Sequence, residues 1–241
     1  WDLKNLLRQM ALSATYRQST VITPETREKD PENITFCRSQ PKRLQAEMIR
    51  DNALAVSGLL VDKVGGPPAH PYELAVGFEP IEPDAGDGVY RRSIYTRTKR
   101  NSPAPVMVAF DAPKRDICTV QRSEVASPLQ PLITLNGPQF VEASRVLAQE
   151  LLTQINGSPA HVINEAFYRL TSRKADPEEL ALMTDLYDVQ LAEFSQFPEE
   201  AAALISIGHA PVPDHVAPDQ LAAATIVVNA LMNLHESITH R

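Results

Sequence analysis

From Pro138 to the end of the chain, apolar residues recur at the three- and four-residue spacing of an α-helix. This periodicity limits the fold to helices packed on helices. Phe140, Ala143, Leu147 and Leu151 make one stripe, stopped by Asn156-Gly157. Ser158-Pro159 opens a second helix reaching Leu170, since proline suits the first helical turn. Asp176-Pro177-Glu178-Glu179 predicts a third start: a cap, a proline, then acid near the positive end of the helix dipole. That helix runs to about Phe194, with Leu180, Met183, Tyr187 and Leu191 on one face. Glu199–Ile207 reads as a further turn or two. Asp214–Asp219 starts the last helix, whose apolar side carries Leu221, Val228, Leu231, Met232 and His235.

The N-terminal part is helical where apolar residues allow it. Leu3, Leu6, Leu7, Met10, Ala11 and Ala14 predict a first helix ending near Tyr16-Arg17-Gln18, with Asp2 as its cap and Trp1 stapled against Leu6. Residues 19–41 are polar and turn-rich and read as an irregular connection. A second helix, about Leu44 to Leu60, has Leu44, Met48, Ala55, Val56 and Leu59 on its apolar face. Between 64 and 89 the density of proline and glycine excludes a regular element, leaving a long acidic loop. Val89–Thr96, Val106–Phe110 and Ile117–Gln121 carry β-branched and aromatic residues in short runs, predicting one or two hairpins at most. The reading is a mainly α fold, a helical bundle with a small irregular β-hairpin region in the middle. Its parts are a helical 1–63, a loop-rich 64–125 and a helical 126–241, sharing one core.

Composition narrows the function classes. With 241 residues, 43% apolar and 22% charged, the chain can bury a sizeable core and is not globally disordered. No apolar run approaches the roughly 20 residues of a membrane span. The net charge of −7 is uneven, positive through Val125 and negative beyond it. The acidic C-terminal half argues against nucleic acid as a partner, and is accounted for by a solvated helical surface. Cys37 and Cys118 are able to pair if the protein is exported, and two separate buried thiols are the plainer account. The chain opens on Trp1 directly into a helical pattern, with no targeting segment, and is expected to begin inside a longer polypeptide.

Motifs that carry chemistry are missing. There is no Cys-x-x-Cys-His haem attachment, no dinucleotide or Walker loop, no nucleophile elbow and no zinc His-Glu-x-x-His. His209 and His215 flank Asp214 but need a further ligand to hold a metal, so no metal site is expected. Glu47, Arg50 and Asp51 share one helical face, and with Asp111 are the candidate catalytic residues. A structural ion-pair network is the plainer account of them. Arg91, Arg92 and Tyr95 head a basic, aromatic run through Lys99-Arg100 and are the candidate binding residues for a carboxylate, sulfate or sugar. On a strand, Arg91, Ser93, Tyr95 and Arg97 would face one way and Arg92, Ile94 and Thr96 the other. Pairing with the acidic loop upstream or with the acidic C-terminal half is the plainer account here.

Ordered segments carry a resemblance. Trp1-Asp2-Leu3-Lys4, Leu12-Ser13-Ala14-Thr15-Tyr16-Arg17-Gln18-Ser19, Asp30-Pro31-Glu32-Asn33 and Arg43-Leu44-Gln45-Ala46-Glu47-Met48-Ile49-Arg50-Asp51 are four of them. Tyr90-Arg91-Arg92-Ser93-Ile94-Tyr95-Thr96, Phe110-Asp111-Ala112-Pro113, Cys118-Thr119-Val120-Gln121-Arg122, Ser127-Pro128-Leu129-Gln130 and Leu135-Asn136 follow. Together they resemble the planctomycete-type PSD domain, a domain of unknown function (number 1553). Ala230-Leu231-Met232-Asn233-Leu234 is similar to the family's usual end. Departures are Val125-Ala126-Ser127 where the family has Thr-Asn-Thr, and Asn136-Gly137 where it has Asn-Asp. The family's upstream stretch rich in Asn-Arg, Trp and Phe-Gly is not in this sequence.

The resemblance implies a C-terminal piece of a large exported bacterial protein, in a periplasmic or cell-surface setting. It implies c-type haem in a neighbouring domain or chain and no cofactor here. The implied partners are upstream domains of the same polypeptide or a cytochrome subunit. It supplies no catalytic residues. The leading expectation is an accessory or interaction domain. The alternatives are an enzyme domain, oxidoreductase or polysaccharide-active, using Glu47, Arg50, Asp51, Arg91, Arg92 and Asp111, and a carbohydrate-binding module using Tyr90, Tyr95 and the arginines.

Overall fold

Proline, abundant here and usually a helix breaker, starts most of the helices. In the computed structural model, which describes residues 2–71, 83–98, 103–115, 117–155 and 158–240, the second and fourth helices and every helix from the sixth onward open on a proline. The first helical N–H has no intrahelical acceptor, so its loss is harmless there, and the fixed φ is already helical. The chain divides into two compact units, Trp1–Leu44 with Thr239–Arg241, and Gln45–Ile238.

In the first unit, α1 (Leu3–Leu12) is capped by Asp2, whose Oδ1 accepts from the Asn5 N–H at 3.0 Å. The helix ends at Ser13, before the expected stop. Trp1 lies outside the described residues. α2 (Pro24–Lys29) forms inside the segment expected to be irregular, because Thr23 and Thr26 cap each other reciprocally. Asp30 then organises the following turn. Its carboxylate accepts from the Ile34 and Thr35 N–H groups, both at 2.8 Å, while Arg38 donates to the Asp30 and Pro31 carbonyls. β1 (Lys42–Arg43) pairs antiparallel with β2 (Thr239–His240), with Lys42 opposite His240.

The second unit contains α3 (Ala46–Val56), α4 (Pro105–Ala109), α5 (Leu129–Asn136), α6 (Pro138–Gln154), α7 (Pro159–Thr171), α8 (Pro177–Gln196), α9 (Pro198–Ile205) and α10 (Pro218–Met232). The four-residue Phe140 stripe of α6 is buried throughout. Asn156-Gly157, expected to stop α6, lies outside the described residues. The Asp176 carboxylate caps α8 in a full capping box.

The centre of the unit is α10. Leu221 through Thr225, Val227 through Asn229, Leu231 and Met232 are all buried, so the helix is covered nearly all round rather than on one side. It packs against α5, α6, α7, α8 and α9. Because α10 ends at Met232, His235 lies beyond it and is exposed.

The fold is mainly α, as the periodicity requires. Among the described residues the central region holds no hairpin. Gly86–Tyr90 and Ser93–Tyr95 are single 3-10 turns, Val106–Ala109 belongs to α4, and residues 117–121 are irregular. Pro105 presets a helical first turn that overrides the β-branched preference of so short a run. The buried face of α3 is also rotated from the expected one. Met48 is half-exposed, and the buried residues are Ala46, Ile49, Arg50, Ala53 and Leu54. Cys37 and Cys118 are separate free thiols, exposed rather than buried.

Replacing Leu231, which has no exposed surface, by Ala should lower unfolding stability by about 2–5 kcal/mol through lost burial and the remaining void. Urea denaturation with an unchanged slope would measure it.

Candidate functional site

Arg50 is the residue that rotates α3. Its side chain is 1% exposed, and its guanidinium faces the loop that follows residue 88. Nη2 donates to the Val89 carbonyl at 2.7 Å and Nη1 to the Arg91 carbonyl at 2.8 Å and the Ser93 hydroxyl at 3.1 Å. Nε donates to Gln139 Oε1 at 2.8 Å. Asp51 completes the grip: its Oδ1 accepts from the Ser93 N–H at 2.8 Å and lies 3.5 Å from Arg50 Nη1. Glu47, one turn earlier, takes both Arg122 nitrogens, at 2.7 and 3.0 Å.

Arg91 is buried as well and acts in the same way. It donates to the carbonyls of Lys63, Gly65 and Pro67 and stacks on the Tyr95 ring, 4.1 Å from its centroid. The Tyr95 hydroxyl accepts from the Gly65 N–H at 3.0 Å. Arg91 and Ser93 are buried and Arg92 and Ile94 exposed, but no strand forms: Arg91 makes an isolated parallel bridge to Val61, and Ser93–Tyr95 is a 3-10 turn. Arg92 is exposed, 3.7 Å from Asp62. The acceptors of Arg91 are thus backbone carbonyls of the proline- and glycine-rich segment, not carboxylates. Arg97 meets His70 at 3.3 Å, and Lys99-Arg100 lie outside the described residues. Asp111, with φ +60°, accepts from the Val125 N–H at 2.8 Å.

The structure therefore brings Arg50, Asp51, Arg91 and Tyr95 together around one stretch of loop and leaves Arg92 and Asp111 elsewhere. The hollow beside Glu47 and Ser93 has a volume of about 40 Å³, too small for a substrate. Each of the inward-facing groups satisfies backbone that has no sheet or helix partner, which is the ordinary requirement for buried peptide groups.

A second constellation lies on α6. Glu142, on α6, is 2% exposed. Its Oε1 accepts from the Tyr90 hydroxyl at 2.7 Å and from the His209 and Ala210 N–H groups at 2.6 and 2.7 Å. Arg145, fully buried and one turn along, donates to the Ala210 and Pro211 carbonyls at 2.7 and 3.2 Å. The two side chains hold residues 208–211 from both polarities. Gly208, with φ +99°, lies so close that a Cβ there would meet Glu142 Cδ at 2.2 Å. Burial and then the hydrogen bond to Glu142 push the Tyr90 phenol well above its ordinary pKa. Burial lowers that of Arg145, against the opposing charge of Glu142.

Glu142 lines a cavity of about 380 Å³. Val89, Val106, Ile133, Phe140 and several prolines supply its walls. Gln139 also lines it, but both ends of its amide are engaged, Oε1 by Arg50 and Nε2 on the Pro71 carbonyl at 2.7 Å. The signal in the sequence was a Glu and an Arg three residues apart inside an otherwise apolar helical run, Phe140-Val141-Glu142-Ala143-Ser144-Arg145.

Among the described residues no group of three or more His, Cys, Asp or Glu is placed to hold a metal. The His215 ring contacts Thr153, whereas His209 is held through its backbone. No described helix is long and apolar enough to cross a membrane.

A helical unit whose loops are held by buried arginines is the class of structure that these residues define. The chain belongs to the PSD1 family, described as a protein of unknown function (DUF1553), whose model matches residues 1–187. The segment Ala230–Leu234 lies beyond the matched residues. No curated protein and no solved structure matches the chain.

Arg50→Met should destabilise the protein by several kcal/mol, at roughly 1–3 kcal/mol for each buried acceptor left unmatched. Hydrogen exchange should show the Tyr90–Tyr95 amides losing protection first. Glu47 gives a pH signature. Burial opposes its ionisation, but the Arg122 hydrogen bonds, a backbone hydrogen bond and the charges of Arg122 and Arg115 together outweigh it and lower its pKa below the ordinary 4.5. Its stabilisation is therefore complete above 4.5 and lost as pH falls through the lowered folded value. The stability gap between the native chain and Glu47→Gln should be constant at neutral pH and close in acid, as measured by urea unfolding at a series of pH values.

Proposed function

We propose that this chain is an accessory interaction domain of a large exported bacterial protein, working beside c-type haem carried by a neighbouring domain or chain in the periplasm or at the cell surface. The observation that carries this reading is α1. Leu3, Leu6, Leu7 and Met10 lie at helical spacing, are each more than half exposed, and no residue of the helix is buried. A helix with an apolar stripe and no covered face is suited to lie in a groove of another domain. Membership of the PSD1 family supports the setting, and the upstream domains of the same polypeptide are the proposed partner. The enzymatic reading rested on Glu47, Arg50, Asp51, Arg91, Arg92 and Asp111, and these groups face loops and ion pairs rather than a shared cavity. The carbohydrate-binding reading needed open aromatic rings, whereas Tyr95 lies under Arg91 and Tyr90 donates to Glu142.

The test is binding between this chain and the haem-bearing upstream part of its own polypeptide. Leu6→Asp and Met10→Asp should each weaken it about tenfold or more while changing unfolding stability by no more than about 0.5 kcal/mol. Unchanged binding in both variants, or turnover by the isolated chain, would overturn the reading.

A further inference from the structure

We propose that the cavity beside Glu142 binds a small uncharged organic molecule carrying one hydroxyl or N–H group on an apolar body. The volume, about 380 Å³, falls within the ordinary range of small-molecule pockets. Its walls offer apolar contact from Val89, Val106, Ile133 and Phe140, so most of an occupant would be recognised by burial alone.

The carboxylate supplies a buried polar anchor. Oε1 is saturated by Tyr90, His209 and Ala210. Oε2 has no hydrogen-bond partner among the described residues. Nor is it sealed off, because the enclosed side-chain atoms left without partners among those residues are Arg91 Nε, Thr96 Oγ1 and Arg145 Nε. With the rest of Glu142 buried, the free oxygen is reached from the cavity that the residue lines. A carboxylate oxygen held in apolar surroundings without a donor is unfavourable, and a donor brought there interacts more strongly than it would in water. Gln139 does not compete, since its amide is already engaged at both ends.

Charge selects among donors. Arg145 is fully buried one turn from Glu142 and offsets its negative charge. A neutral donor leaves that balance intact, whereas an ammonium would add an uncompensated buried charge. The site is therefore assigned to alcohols, phenols or amides rather than to amines.

Titration calorimetry of the full chain with naphthol, its methyl ether and naphthylmethylammonium tests this directly. Naphthol should bind about ten- to a hundredfold tighter than the ether, the range of a hydrogen bond to a charged acceptor. The ammonium should bind no better than the ether. In Glu142→Gln the amide must turn its oxygen to Tyr90, His209 and Ala210 and present NH₂ to the cavity, so the naphthol preference should vanish or invert. Val106→Trp, which enlarges a residue lining the cavity, should abolish binding of both neutral probes with the circular dichroism of the native fold. Should Glu142→Gln not fold, the naphthol-to-ether ratio on the native chain and the Val106→Trp result decide. Equal affinity for naphthol and ether, tightest binding of the ammonium, or no saturable binding would each overturn the proposal.

Discussion

The described part of the loop-rich middle depends on one guanidinium. The carbonyls of Val89 and Arg91 belong to no sheet and no α-helix, and burying them unmatched would cost more than the neighbouring apolar contacts return. Arg50 reaches both carbonyls, together with Ser93 and Gln139, from a single buried side chain. The rigid fork of donors makes Arg suited to this and Lys not. Arg91, once positioned by that grip, repeats the arrangement outward onto Lys63, Gly65 and Pro67. Two arginines in series thus do for this segment what a β-ladder does elsewhere.

The same interaction explains which parts of the fold were legible. Helices α6, α7 and α8 follow from apolar stripes and from Pro and Asp at their starts, and they lie where periodicity puts them. The face of α3 does not follow, because a hydropathy pattern counts Arg50 as solvent-facing and so favours the stripe through Met48. The run Val89–Thr96 reads as strand because buried and exposed residues do alternate from Arg91 to Ile94, but its backbone is two short 3-10 turns joined through Arg91 and Arg92 and held by side chains. α2 and α5 were invisible for a different reason. Both are short, and the first is stabilised by the reciprocal Thr23 and Thr26 hydroxyls rather than by any apolar face.

Glu142 and Arg145 escaped notice by the logic that hid Arg50. A charged pair inside an apolar helix looks like a solvated edge until the segment that covers it is known, and residues 208–211 are distant in sequence. The pair also shows how two buried charges can be tolerated. Each is held mainly by backbone of the same short segment, so neither depends on the other as its only partner.

The covered state of α10 has a consequence for how the chain comes to be folded at all. The five helices that pack on it are all made before it, and each must keep its apolar face open until residues 218–232 arrive. The first unit waits longer still, since Lys42-Arg43 finds its strand partner only at Thr239-His240. During vectorial synthesis neither unit can close early. The polypeptide emerges as a sticky, half-assembled intermediate whose exposure to aggregation and proteolysis is set by the delay before residues 218–240 appear.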